Sequence, residues 1–217
     1  MPEPATLIGL GGGLLGLLTH LARRYFEIAK EVVDVALGSI LLVLCSPLIL
    51  LCMLMVRWAS KGPVIYRQVR VGRDGRLFTM YKLRTMVIDA ETHGIQWASK
   101  GDSRVIPICR WMRRSHVDEL PQLINVIKGD MSLVGPRPER PEILTKLKQH
   151  YPEVEQRLLV RPGITGLAQV RSGYDTTIAA FRRKLDADLE YIAKRRWSVE
   201  LAILARTLTK LNDRSAH

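Results

Sequence analysis

Residues 35–56 read VALGSILLVLCSPLILLCMLMV, about 22 positions without a charge, enough to cross a hydrocarbon core of roughly 30 Å. A soluble core helix does not account for so long an uncharged run, so the segment is assigned to a membrane. Ser46 and Pro47 sit at its middle. Proline removes a backbone donor and crowds the preceding turn, which predicts a kink there. Arg23, Arg24 and Lys30 precede the segment, and Arg57 and Lys61 follow it. The positive-inside rule then holds both ends on the cytoplasmic side. A helix-break-helix hairpin that enters one leaflet and returns satisfies this. From the segment alone an ordinary kinked transmembrane helix stays open, because proline occurs in true spans too.

Upstream, Leu7 to Leu21 is apolar and contains Gly11-Gly12-Gly13. No basic region precedes it, as a secretory signal would require. The sequence leaves open an interfacial helix, an extra membrane helix or a loose end. The 217-residue chain carries a formal net charge of +12, which calls for a negative partner. Nucleic acid, an anionic membrane surface and phosphorylated substrates are the candidates. The three cysteines, Cys45, Cys52 and Cys109, have neither disulfide nor metal-ligand spacing and fit a reducing setting.

Downstream, Val64–Val71 reads as a strand, Gly72-Arg73-Asp74-Gly75 as its turn, and Leu77–Met86 as the return strand. Alternate residues share a face, which groups Phe78, Met80, Lys82 and Arg84. Two cations so placed make a phosphate clamp; a solvated basic edge is the plain alternative. The Asp89–Ser103 stretch has weak periodicity and fits either a loop over the site or an inert connection. Arg104–Arg114 is basic with interleaved apolar residues, suited to a membrane surface.

The chemistry concentrates in RRSHVDELPQLINVIKGDMSLVGPRPER, residues 113–140. Leu120, Leu123, Ile124 and Ile127 form one helical stripe, and Gly129 ends it. Pro121 is tolerated in a first turn, so Asp118 is placed at or near the N-cap with Glu119 one step inside. Neighbouring helix residues point in different directions, which gives the two acids separate tasks. An acid at a helix start is commonly only a cap. Here Arg113 and Arg114 stand just ahead, and Gly135-Pro136-Arg137-Pro138 follows. Carboxylates and guanidiniums gathered around a helix start suit a phosphate ester with a metal ion. Further on, Pro141–Val160 reads mainly as helix, and Arg161-Pro162-Gly163-Ile164-Thr165-Gly166 as a tight turn able to nest an anion. Ile178–Ile192 and Val199–Leu211 read as amphipathic helices, broken near Trp197-Ser198.

Taken in order, several of these motifs resemble the bacterial sugar transferases, monotopic polyprenyl-phosphate phosphoglycosyl transferases. They are Tyr81-Lys82-Leu83-Arg84-Thr85-Met86, Asp118-Glu119-Leu120-Pro121-Gln122, Gly129 through Pro138, and Arg161 through Gly166. The resemblance runs from about Lys30 to near Leu211. It implies transfer of a sugar-1-phosphate from a UDP-sugar to a polyprenyl phosphate, with undecaprenyl phosphate the expected acceptor, and release of UMP. By resemblance Asp118 is the nucleophile that forms an aspartyl-phosphosugar, and Glu119, with Asp118, holds Mg²⁺. Arg113 binds phosphate by the same resemblance, and Pro136-Arg137-Pro138 faces the nucleotide; Lys82 and Arg84, from the hairpin face, and Arg161, from the tight turn, are the further phosphate-binding candidates. Asp188 matches a family acid that assists the site. The membrane helix is re-entrant and kinked at Ser46-Pro47.

The expected architecture is α/β: an N-terminal apolar or interfacial segment (1–29), a re-entrant membrane hairpin (30–58) and a catalytic domain (59–217). That domain has a basic β-hairpin and amphipathic interfacial helices, on the cytoplasmic face of a bacterial inner membrane. Membrane lipids are partners, nucleic acid is not, and a homo-oligomer is compatible. Two departures stand out. Lys30-Glu31 replaces the family's Lys-Arg pair, and His116 precedes the dyad. A nucleic-acid binder would not need residues 35–56 and would show stacking aromatics in a basic stripe. A non-catalytic membrane scaffold explains residues 35–56 but not the dyad, the Pro-Arg-Pro element and the basic hairpin together. Neither the sugar nor the glycan pathway is readable.

Overall fold

A computed structural model describes residues 4–90, 92, 102–171 and 178–210. Most of the expected loop between Asp89 and Ser103 lies outside them, as does the Ser172–Asp175 stretch. Helix α1 runs from Pro4 to Ala59 as one helix of 56 residues. It absorbs both the N-terminal segment and the membrane segment. Within Leu18–Ala59 it holds an 18-residue stretch of mean hydropathy 2.8, long and apolar enough to cross a membrane.

The expected break at Ser46-Pro47 is not a break in helical structure, because Pro47 lies inside α1. The reason is local. Pro47 has no N–H to give the Val43 carbonyl four residues back. The Ser46 hydroxyl donates to that carbonyl instead, at 2.8 Å. In an apolar medium an unmet carbonyl costs several kcal/mol, roughly, so this substitution matters most inside lipid.

One face of α1 is buried against the rest of the molecule. Lys30, Asp34, Ile49, Cys52 and Val56 are buried. Leu42 and Cys45 pack on the same clusters, and Gly38 lies against Val126. Their spacing of three and four is the helical period. The opposite face is apolar and bare: Val43 and Leu44 are 71% and 70% exposed, and Leu54 and Trp58 are exposed as well.

Strands β1 (Ile65–Val71) and β2 (Leu77–Leu83) form an antiparallel hairpin. Asp74 and Gly75 turn it with positive φ. The return strand stops three residues short of Met86. Beyond it the Thr85 carbonyl accepts from the Ile106 amide and Met86 bridges to Val105. A short helix, α2 (Arg110–Arg114), leads into a 3-10 turn, Val117–Gln122, which passes into α3 (Leu123–Ile127). Gly129 ends this unit with φ of 80°, as expected.

The second sheet is a parallel pair, β3 (Ser132–Val134) and β4 (Gly163–Thr165). The middle of the tight turn expected over Arg161–Gly166 is therefore a strand. Its amides serve the fold: Gly163 N–H donates to the Pro136 carbonyl at 2.9 Å, and Gly135 N–H to that of Thr165 at 2.8 Å. The two segments touch backbone to backbone. A Cβ on Gly163 would lie 2.0 Å from the Gly135 nitrogen, so no other residue fits.

Between them, the helix expected over Pro141–Val160 divides into α4 (Pro141–His150) and a 3-10 segment, Pro152–Leu159. Tyr151, with non-helical φ of −139° and ψ of 83° ahead of Pro152, makes the division. Helices α5 (Leu167–Arg171), α6 (Ile178–Lys194) and α7 (Trp197–Lys210) complete the chain. The helix break falls at residues 195–196, next to the expected one. The architecture is thus mixed helix with two small sheets, around three clusters of buried side chains.

A buried polar lock joins α1 to α6, α7 and β3. Lys30 Nζ donates to Glu200 at 2.8 Å and lies 3.2 Å from Asp34. The Ser132 hydroxyl reaches Asp34 at 2.6 Å, and Tyr191 donates to Glu200 at 2.8 Å. Burial, reinforced by Glu200, pushes the Tyr191 hydroxyl far up, so it stays a donor.

Candidate active site

The 3-10 turn Val117–Gln122 carries both acids of the dyad. It begins two residues earlier than expected. His116, with φ of 56°, holds the cap position without a side-chain cap bond, and Asp118 and Glu119 lie within the first turn. Both are buried, at 7% and 8% exposure. Pro121 and Leu123 follow, and Leu123 packs into the core under β2. Asn125 fastens the turn to the hairpin, donating to the Thr79 carbonyl at 2.7 Å and accepting from the Tyr81 amide at 3.2 Å.

The acids differ sharply. Lys82 Nζ lies 2.7 Å from Glu119 Oε1. Arg137 grips the same carboxylate with both nitrogens, Nη2 at 2.6 Å and Nη1 at 3.1 Å. Burial alone would raise Glu119, but Arg137 and Lys82 hold its carboxyl well below the usual range. Asp118 accepts no hydrogen bond among the described residues. Burial first, then the neighbouring Glu119, pushes its carboxyl up to about 6, against Lys82, Arg113 and Arg137. Burial also lowers the Lys82 ammonium and the His116 imidazole, which leaves His116 neutral at pH 7.

The expected cations divide into two groups. Lys82, Arg113 and Arg137 gather at the dyad, with Arg113 donating to the Thr85 hydroxyl at 3.3 Å. Arg84 turns away: its two terminal nitrogens donate to the Lys61 and Ser60 carbonyls at 2.7 and 2.9 Å. It thereby closes the C-terminal end of α1. Arg161 pairs with Glu31 of α1 at 2.7 Å, in a cleft that none of the dyad cations lines.

Asp188 stands behind the site. It is 1% exposed and accepts from Arg157 Nε at 2.8 Å. Arg157 in turn donates to the Arg137 carbonyl at 2.8 Å. Burial outweighs Arg157 and raises the Asp188 carboxyl. A chain of hydrogen bonds thus runs from Asp188 through Arg157 and Arg137 to Glu119. Arg157 was not apparent in the sequence, since it lies in an irregular segment. Arg70 is a second support: it donates to the Pro138 carbonyl at 2.8 Å and to Gln68 at 2.9 Å. Strand alternation of Tyr66, Gln68 and Arg70 was the signal that could have found it. Pro136 and Pro138 fix the loop that presents Arg137, walled by Gly72, Arg157 and Pro162.

Among the described residues no cluster of three or more His, Cys, Asp or Glu is present. Two adjacent carboxylates still suit Mg²⁺, which takes one or two acids and completes its shell with water and phosphate oxygens. The unbonded Asp118 carboxylate fits such a role; Glu119 fits it by releasing one of its cations.

Residues 25–214 match the family model described as bacterial sugar transferase. The chain is 40% identical over 195 residues to a UDP-glucose:undecaprenyl-phosphate glucose-1-phosphate transferase of Caulobacter vibrioides, covering 88% of this chain and 72% of the relative. It is 46% identical over 141 residues to a putative undecaprenyl-phosphate N-acetylgalactosaminyl 1-phosphate transferase of Bacillus subtilis, covering 65% and 78%. An Aeromonas hydrophila UDP-N-acetylgalactosamine-undecaprenyl-phosphate N-acetylgalactosaminephosphotransferase is 38% identical over 183 residues, 84% of this chain but only 43% of that relative. With the match extending over most of its length, the chain belongs to the bacterial sugar transferase family.

Proposed function

We propose that this chain transfers a sugar-1-phosphate from a UDP-sugar to a polyprenyl phosphate, undecaprenyl phosphate by preference, as the first membrane step of glycan assembly. The observation that carries the proposal is the unequal dyad: Glu119 clamped by Arg137 and Lys82, and Asp118 buried but unbonded beside it. Asp118, ionised at neutral pH, attacks the sugar-linked phosphorus. An Asp118 oxygen–phosphorus bond forms, the bond to UMP breaks, and UMP leaves with the electron pair. A lipid phosphate oxygen then attacks the same phosphorus and releases Asp118. Splitting the displacement this way replaces one hard step with two easier ones. Lys82, Arg113 and Arg137 neutralise the diphosphate, which would otherwise repel the carboxylate. Arg137, with Pro136 and Pro138 beside it, faces the nucleotide. Asp118 and Glu119 would hold Mg²⁺, which supplies further charge neutralisation when bound.

The site works at a membrane surface. Lys30 and Asp34, at one end of the apolar stretch, and Ser60 and Lys61, at the other, are both tied to the same folded unit. A perpendicular span would put those ends on opposite sides of roughly 30 Å of hydrocarbon. A re-entrant, monotopic placement on the cytoplasmic face keeps both on one side, with the bare apolar face of α1 in lipid.

UMP release from a panel of UDP-sugars tests the proposal, using detergent-solubilised protein, polyprenyl phosphate and Mg²⁺. Activity should require lipid, metal, Asp118 and Glu119, and fall at least about a thousandfold in Asp118→Asn. Activity that survives Asp118→Asn would sink the covalent step. Silence from folded protein across a broad panel would favour a non-catalytic scaffold.

A further inference from the structure

A large cavity lies apart from the dyad. It is a cleft of about 570 Å³ between α1 ahead of its apolar segment, the end of α6 and the β1–β2 turn. Neither Asp118, Glu119, Lys82 nor Arg137 lines it. Its walls carry Arg23, Arg24, Lys30, Arg73, Arg161 and Arg195 against the acids Glu27, Glu31 and Asp34.

Some of these cations are already committed. Lys30 serves the buried lock, Arg161 pairs with Glu31, and Arg195 pairs with Glu27. Arg23 and Arg24 make no hydrogen bond or ion pair among the described residues. Arg195 Nε is buried without a partner, and its guanidinium lies 5.6 Å over the Phe26 ring. Burial lowers Arg195; Glu200 opposes this, and the positive charge of Arg23 adds to it. Like charges therefore crowd one wall with too little acid between them, which an incoming anion would relieve.

We propose that this cleft binds the phosphate headgroup of an anionic phospholipid, held as a resident ligand where α1 enters the membrane and away from the reacting carboxylates. The inference rests on the membrane placement proposed above. Position favours a lipid over a soluble anion. The cleft reaches Asp34, one residue before the uncharged stretch begins, and Val32 and Ile28 are exposed nearby at 64% and 54%. Acyl chains leaving the cleft would meet that apolar surface. Its volume falls within the range of small-molecule sites, roughly 300–1,000 Å³, and exceeds what a bare phosphate needs.

The experiment uses the full chain. It is first floated with phosphatidylcholine vesicles, with and without phosphatidylglycerol. The protein is then extracted in mild detergent, and native mass spectrometry counts the lipid retained. Arg23→Gln/Arg24→Gln removes two exposed cleft cations without opening the core. Lys146→Gln/Lys148→Gln removes equal charge from the far surface of α4. Parent and Lys variant should retain phosphatidylglycerol in preference to phosphatidylcholine, and the Arg variant should lose it by about twentyfold. Equal retention by the Arg variant overturns the proposal, as does equal loss in both variants. Displacement by inorganic phosphate at concentrations that leave flotation unchanged overturns the lipid source. Protein that fails to float on either vesicle defeats the membrane placement itself; protein that floats but retains no phosphatidylglycerol defeats only the headgroup site.

Discussion

Asp118 is where charge and burial are most at odds. Its carboxyl is raised to about 6 in the fold, mainly by burial, so the folded state takes up a proton more readily than the unfolded chain. Stability from this residue is fully present below its unfolded value and is lost as pH rises through about 6. In metal-free buffer at pH 8, Asp118→Asn should therefore be inactive yet more stable, by about 1–3 kcal/mol. A thermal melt of both proteins at pH 8 and pH 5 checks this; an unchanged or lower Tm at pH 8 counts against it. The dyad was legible because its residues fall in one short stretch, and so was Arg137. Asp188 was legible as a match, but its partner was not. Arg157 lies 31 residues away in an irregular segment, and no local rule says that it reaches Asp188 and the Arg137 carbonyl. Strand alternation grouped Lys82 with Arg84 but could not say what each would meet. A second prediction follows from that relay. Asp188→Asn should lower kcat/KM for the UDP-sugar by about tenfold to a hundredfold while leaving its pH profile in place, as for a group that positions Arg137 without touching substrate.

Among the elements, α1 carries Pro47 without a gap in its helical structure. Ser46 serves the carbonyl that Pro47 leaves unserved, and the helix continues. Hydropathy identified the apolar stretch directly. It could not identify the glycine-rich segment ahead of it as helix, since Gly11 to Gly13 oppose helix formation and only context overrides them. The middle of the tight turn expected over Arg161–Gly166 is a strand for a related reason: its partner, β3, lies about thirty residues earlier, beyond any local pattern. The lock between α1 and α7 is equally hidden from local pattern, since Lys30 and Glu200 lie 170 residues apart. Its strength can be measured. Lys30→Ala leaves Asp34 and Glu200 buried without their cation and should destabilise the protein by about 3–5 kcal/mol. Denaturant unfolding in detergent reads this directly; a loss below about 1 kcal/mol would mean that water replaces the ammonium.

At the scale of the molecule, a helix with one buried face and one bare apolar face couples a polar catalytic unit to lipid. Membrane placement can be read by labelling. Cysteines introduced by Arg24→Cys and Lys61→Cys flank the apolar stretch. A membrane-impermeant maleimide should reach both from the cytoplasmic side and neither from the outside; labelling from opposite sides would establish a span. The lock has a further consequence, in the order of synthesis. Lys30 leaves the ribosome 170 residues before its partner Glu200. At about 5–20 residues per second, that interval is roughly 10–30 s. During it the apolar helix can enter the membrane while Lys30 and Asp34 wait without their distant partner. The final docking of helix onto enzyme therefore waits for α7, and a chain that stops before it would leave Lys30 without the Glu200 carboxylate.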